Sequence, residues 1–147
     1  AGLRREKLAV VFQDLRLFPL LTGEENLDVK AGLTGTVTLD WIRRQAARLE
    51  IREAMLRPCG LLSQGEQQRA AICRALLPQP KLILADEATG NLDPRNKGHI
   101  LDLLFQSVDR QGASLLAVTH DHELLPRFDR VVDFAFSSAP SQRCRRN

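Results

Sequence analysis

The sequence predicts an α/β fold: a parallel β-sheet flanked by helices, with a helical insertion after its first strand. Three observations carry this. Short, near-continuous apolar runs at residues 8–12, 81–85 and 114–119 suit strands of a parallel sheet covered on both faces. A capped helical pattern separates the last two runs at the spacing of a strand–helix–strand crossover. Each run also ends in a polar cluster, at the end where open α/β sheets place their ligands.

The elements follow in order. Residues 8–12 form the first predicted strand, and Gln13-Asp14 follow it. From 22 to 58 no strand pattern recurs, and one amphipathic helix is predicted over 40–55, with Ile42, Ala46 and Leu49 on a shared face. Ser63 with Glu66 three residues on is a capping box, opening an apolar helix that runs to Leu77 and is ended by Pro78 and Pro80. The strand at 81–85 stops at Asp86-Glu87. Asp93-Pro94 then supplies an N-cap and a first-turn proline; Ile100, Leu104 and Val108 recur on one face until Gly112. Strands at 114–119 and 130–136 follow. The Ser-, Pro- and Arg-rich tail over 137–147 is expected to be disordered.

Composition narrows the class. A chain of 147 residues, 44% apolar and 27% charged, has the size and balance of one globular domain. A formal charge of +3 is too small to argue for a nucleic-acid partner, and Arg143, Arg145 and Arg146 of the tail supply much of it. No apolar run approaches the roughly 18 residues of a membrane span. Cys59, Cys73 and Cys144 lack metal-ligand spacing, so reduced thiols in a cytosolic protein are expected. The chain opens Ala1-Gly2-Leu3 and its one methionine is Met55, which predicts either a removed start or a longer parent sequence.

Four segments carry candidate chemistry. Asp86 and Glu87 are adjacent carboxylates at the end of a buried strand, costly there unless a cation meets them. In P-loop NTPases that cation is Mg²⁺, held through the first acid, while a neighbouring acid polarises the attacking water. The plainer alternative is a strand end whose acids point to solvent. Ser63, Gln64, Gly65 and Glu66 read two ways as well. A capping box alone makes an ordinary helix start; the same hydroxyl, the free N–H groups and the positive helix end also make an anion site that Gly65 lets a phosphate approach. His120, after the strand at 114–119, suits a hydrogen bond to a phosphate oxygen or to the attacking water, although a lone histidine at a strand end is usually structural. Gln13 ends the first strand and is weak evidence by itself.

Taken together in chain order, Gln, Ser-x-Gly, Asp-Glu and His at element ends resemble the ATP-binding subunit of an ABC transporter. The resemblance runs from about Arg4 to Asp133. It implies that Gln13 is the Q-loop glutamine that touches Mg²⁺, with Leu17-Phe18-Pro19-Leu20-Leu21-Thr22 and Glu25-Asn26 continuing the family's run. It implies that Ser63, Gln64, Gly65 and Glu66 are the signature motif, Asp86 the Walker-B aspartate on Mg²⁺, Glu87 the catalytic glutamate, Asp93 part of the D-loop, and His120 the switch histidine. The phrase from Ala85 to Asp93 is most similar to the lipoprotein-release and macrolide-efflux type. The departures are Gln64 and Glu66 where the usual signature has Gly and Gln, Ala88 in place of a frequent proline, and one extra residue before the signature.

The same resemblance implies a P-loop NTPase-like sheet whose P-loop strand is missing. The division it implies is a partial ATPase core over 1–21 and 66–136, a helical subdomain over 22–65, and the tail. The P-loop pattern G-x-x-x-x-G-K-[ST] does not occur: none of Lys7, Lys30, Lys81 and Lys97 is followed by Ser or Thr. The sequence is expected to begin just too late to include it. Three contiguous parallel strands are therefore expected, with 130–136 detached or pairing into the gap. The expected function is ATP hydrolysis powering transport, with ATP and Mg²⁺ as cofactors, a head-to-tail dimer, and a transmembrane permease as partner. The expected location is the inner face of the cell membrane, and this chain alone is expected to be inactive. A non-catalytic module offering its signature face to a complete partner is the alternative. An ABC ATPase of DNA repair or translation is a further one, disfavoured by the short helical insertion.

Overall fold

The computed structural model describes residues 8–34, 38–89 and 92–133. Three strands, β1 (Leu8–Val11), β2 (Leu82–Asp86) and β3 (Ser114–Val118), form one parallel sheet in the order β1-β2-β3. Their register pairs Val11 with Ala85, Ala85 with Ala117, and Asp86 with Val118. The expected trio of contiguous strands is thus present, each within one residue of its apolar run.

Cover on both faces is not found among the described residues. Ala9, Val11, Ile83 and Ala85 are buried, while Leu8, Val10, Leu82 and Leu84 alternate with them and are only partly so. On β3, Leu116 and Val118 are 58% and 61% exposed. The helices at Gln64–Leu76 and Pro94–Gln111 explain it: their Ile72, Leu76, Ile100 and Leu104 share one buried cluster with Ile83. An apolar run reports what a strand is suited to bury, not which neighbour does it.

The predicted strand at 130–136 is also corrected over 130–133. Those residues form no ladder, and Val131 and Val132 are exposed. A strand exists through its hydrogen-bonded neighbour, and this segment has none among the described residues. Residues 134–136, like the tail at 137–147, lie outside the described residues.

Between β1 and β2 the sequence reading needs two changes. First, α1 (Gly23–Thr34) was not expected. It opens with a capping box in which the Thr22 N–H donates to Glu25 Oε2 at 2.7 Å and the Glu25 N–H to Thr22 Oγ1 at 3.2 Å. Second, the helix expected over 40–55 is α2 (Leu39–Arg48), capped by Thr38 and closed early. Glu50 adopts a left-handed conformation (φ 56°), and the N–H groups of Glu50 and Ile51 turn back to the carbonyls of Ala47 and Ala46. That is a Schellman stop, made without glycine. Short 3₁₀ turns at Ala54–Leu56 and Cys59–Leu61 follow.

Where caps were legible the reading holds. Ser63 and Glu66 form both halves of the capping box of α3 (Gln64–Leu76). Asp93 caps α4 (Pro94–Gln111), with Pro94 in its first turn and Gly112 left-handed (φ 59°) at its end. Leu27, Ile42, Leu49 and Met55 share one buried cluster with Ile72, Leu76, Ile83, Ile100 and Leu104. Each such side chain contributes about 1.5–3 kcal/mol. Among the described residues no helix is long and apolar enough to cross a membrane.

Candidate functional site

Parallel strands deliver their C-terminal ends to one edge, so β1, β2 and β3 bring Gln13, Asp86-Glu87 and His120 to the same rim. Two of these side chains touch. Glu87 Oε1 accepts the His120 N–H at 3.0 Å and lies 2.8 Å from His120 Nδ1. The Glu87 N–H donates to the carbonyl of Val118 at 3.0 Å. Glu87 has φ 47°, a left-handed conformation that costs a residue with a Cβ about 1–2 kcal/mol, so bonds at both its N–H and its carboxylate hold a strained turn. The Glu87 side chain is 18% exposed and that of His120 81%: a tucked carboxylate under an open ring.

Asp86 ends β2 exposed, and Gln13 is exposed two residues past the last residue of β1. The turn after Gln13 is strained too. Leu15 and Arg16 have φ 55° and 47°, and Arg74 of α3 donates to both their carbonyls. Burial lowers the pKa of this arginine, opposed in part by Cys59 and then by the Asp14 carboxylate. Sequence reasoning missed Arg74, because a contact across 58 residues leaves no local pattern.

The Ser63–Glu66 cluster forms at the start of α3. Ser63 Oγ donates to Glu66 Oε2 at 2.9 Å, the Ser63 N–H reaches the same oxygen at 2.8 Å, and Arg57 meets Glu66 Oε1 at 2.7 Å. Foremost the Ser63 N–H, then its hydroxyl and Arg57, hold the Glu66 carboxyl below the usual range. Gln64 is exposed. A Cβ built on Gly65 would lie 3.9 Å from Asn96 Oδ1, so the starts of α3 and α4 adjoin. Asp93 bonds the N–H groups of Arg95 and Asn96, and Asn96 above all keeps its carboxyl below the usual range. Gly90 and Asn91 lie outside the described residues. Among the described residues no three His, Cys, Asp or Glu side chains converge as a metal cage.

Against known proteins, residues 2–90 match the protein family described as ABC transporter. The chain belongs to the ABC transporter family. The lipoprotein-releasing system ATP-binding protein LolD 1 of Rhodospirillum rubrum is 41% identical over 133 residues, covering 88% of this chain and 59% of that protein. The macrolide export ATP-binding/permease protein MacB of Brucella melitensis is 37% identical over 136 residues, covering 90% of this chain and 21% of that protein. These are the two branches the segment from Ala85 to Asp93 suggested. A dimeric structure of the ATP-binding cassette MJ0796, in a post-hydrolysis state with ADP and Pi, superposes with a TM-score of 0.69 at 34% identity. It covers 84% of this chain and 56% of that one. This ABC family chain thus spans under three-fifths of the LolD 1 length.

Proposed function

We propose that this chain is the larger part of an ABC transporter ATP-binding subunit, which binds and hydrolyses ATP to drive transport through a membrane permease. The Glu87–His120 contact beside Asp86 is the observation that carries the reading, because it sets a carboxyl group next to an imidazole at a sheet rim. Glu87 takes the proton of the attacking water. His120 steadies the γ-phosphate. Asp86 and Gln13 are the residues that would hold Mg²⁺, and the exposure of Asp86, which has no salt-bridge partner among the described residues, fits that duty. Mg²⁺ supplies neutralisation of the phosphate charge.

Ser63, Gln64, Gly65 and Glu66 form the signature face, turned toward nucleotide on a second copy in a head-to-tail dimer, with Asp93 at the start of α4 near the seam. The dimeric MJ0796 structure with ADP and Pi supports both the nucleotide and the pairing. The permease docks on the helical insertion over 22–58, placing the subunit at the inner face of the cell membrane. Leu56 of that insertion is exposed, as are Phe18 and Leu20 just before it, and Phe18 lines a groove of about 390 Å³ with Val29 and Arg16.

Since the 147 residues contain no G-x-x-x-x-G-K-[ST] loop, they alone neither bind ATP tightly nor turn it over. Micromolar binding of a fluorescent ATP analogue to them would contradict this. In a protein completed by that loop, Glu87→Gln keeps ATP-dependent dimers while turnover falls by about 10²–10⁴. Unchanged turnover removes Glu87 from its role.

A further inference from the structure

Helix α4 is fastened to the segment after His120 at successive points. Lys97 Nζ meets Asp121 Oδ2 at 2.8 Å, with the two side chains only 23% and 18% exposed. Arg127 pairs with Asp102. Phe105 and Phe128 meet edge to face with centroids 5.3 Å apart. The segment itself is the 3₁₀ helix His122–Arg127, and Asp121 starts it by accepting the Glu123 N–H on Oδ1 at 3.1 Å. The Asp121 N–H goes to Thr119 Oγ1 at 3.1 Å. Asp121 thus uses one carboxylate oxygen to begin the segment and the other to grip α4, and it is the residue next to His120.

That placement matters because the His120 ring is not fixed by packing. Its side chain is 81% exposed and bonds Glu87 alone among the described residues. The loop that carries it, 119–121, is tied down by Asp121, and Lys97 is the cation on the other end of the tie. The pair is part-buried, so it lies between an exposed surface ion pair and a buried one. Each partner holds the other in its charged form: Lys97 is pushed up, first by its hydrogen bond to Asp121, and Asp121 is pulled down, first by Lys97. The charge of Glu87 also bears on Lys97.

We infer that Lys97 is a positioning residue whose ion pair with Asp121 locks the His120 loop to α4, so that the helix capped by Asp93 and the Glu87–His120 pair move as one body. The inference rests on the ATPase reading for its consequence in turnover, though not for its geometry. Small displacements of a positioned group cost up to about a hundredfold in rate, so a loosened loop is felt in catalysis before it is felt in binding.

Two variants test it, Lys97→Met and Lys97→Arg. On the 147-residue chain the readout is hydrogen exchange at the His120 amide, which is bonded to Glu87 Oε1. Lys97→Met should exchange about fivefold faster there, with core amides such as Ile72 and Ile83 unchanged and Lys97→Arg restoring the slow rate. In the protein completed by the phosphate-binding loop, Lys97→Met should lower kcat about tenfold with KM for ATP within about twofold, and Lys97→Arg should recover most of it. Unchanged His120 exchange in Lys97→Met overturns the inference, as does equal acceleration throughout the core, which marks general destabilisation. A loop-completed protein with Lys97 intact that turns over no ATP defeats the ATPase reading instead, and the exchange result still decides the role of Lys97.

Discussion

Asn26 offers a sharp test of how the loop after β1 is held. It is buried to 1% exposure in the first turns of α1. Its Nδ2 faces the carbonyls of Thr22, Phe18 and Leu21 at 2.9, 3.0 and 3.3 Å and Cys59 Sγ at 3.3 Å, while Oδ1 accepts the Phe18 N–H at 2.8 Å. An amide has two protons to share among those acceptors, so the side chain makes about three full hydrogen bonds. At about 1 kcal/mol each, with backbone groups of Phe18 and Leu21 then left without this partner, Asn26→Ala should cost about 2–4 kcal/mol. Asn26→Asp is the more specific probe. A carboxylate only accepts, and three carbonyl oxygens face it, so the fold favours the neutral acid and raises its pKa. The sign follows: the variant is best at low pH, where the acid can donate, and worsens as pH rises through the carboxylate range. Urea unfolding followed by Trp41 fluorescence at neutral and mildly acidic pH measures both. A loss below about 1 kcal/mol for Asn26→Ala, or an Asn26→Asp deficit that ignores pH, would refute the reasoning.

Two further outcomes follow from the coordinates. Glycine to alanine should have opposite signs in two helices: at Gly23 a Cβ would sit 2.5 Å from Met55 Sδ and 2.9 Å from the Met55 Cα, whereas at Gly98 it meets open space. Thermal melts should show Gly23→Ala losing about 1–3 kcal/mol and Gly98→Ala gaining about 0.5–1 kcal/mol; the same sign at both sites contradicts the packing described. Glu66, held below the usual carboxylate range by Ser63 and Arg57, contributes stability that is present above that range and lost as pH falls through it. Glu66→Gln keeps a capping side chain, so acid titrations of stability should be flatter for the variant than for the parent, and identical slopes count against the capping account.

The fold was legible wherever one local signal decides the local structure. Apolar runs marked all three strands, and Asp93-Pro94 with Gly112, like Ser63 with Glu66, marked helix ends. Helix α1 escaped because its interior buries Asn26 beside Leu27 instead of lining one face with apolar side chains, although Thr22 and Glu25 carried the capping signal. The end of α2 escaped because Glu50, not a glycine, takes the left-handed position. At the site, Asp86, Glu87, His120 and Gln13 were readable as strand ends. Arg74 and Lys97 were not, since each meets its partner only after the chain has folded back over dozens of residues.

Backbone strain ties these observations together. Among the described residues, left-handed conformations outside glycine occur at Leu15, Arg16, Glu50, Gln79 and Glu87. Glu50 and Gln79 close helices, an ordinary duty for such a conformation. The others follow β1 and β2 at the candidate rim, and each is clamped from far away in sequence: Leu15 and Arg16 by Arg74, Glu87 by Val118 and His120. In a strand that simply continued, Glu87 would point to the face opposite Asp86. The left-handed turn instead brings its carboxylate to the residue leaving β3. The cost of that turn, about 1–2 kcal/mol, is offset by contacts that form only when β2, β3 and the His120 loop are assembled. The arrangement of the rim is therefore set by tertiary contacts within the chain, which is what a preorganised site requires.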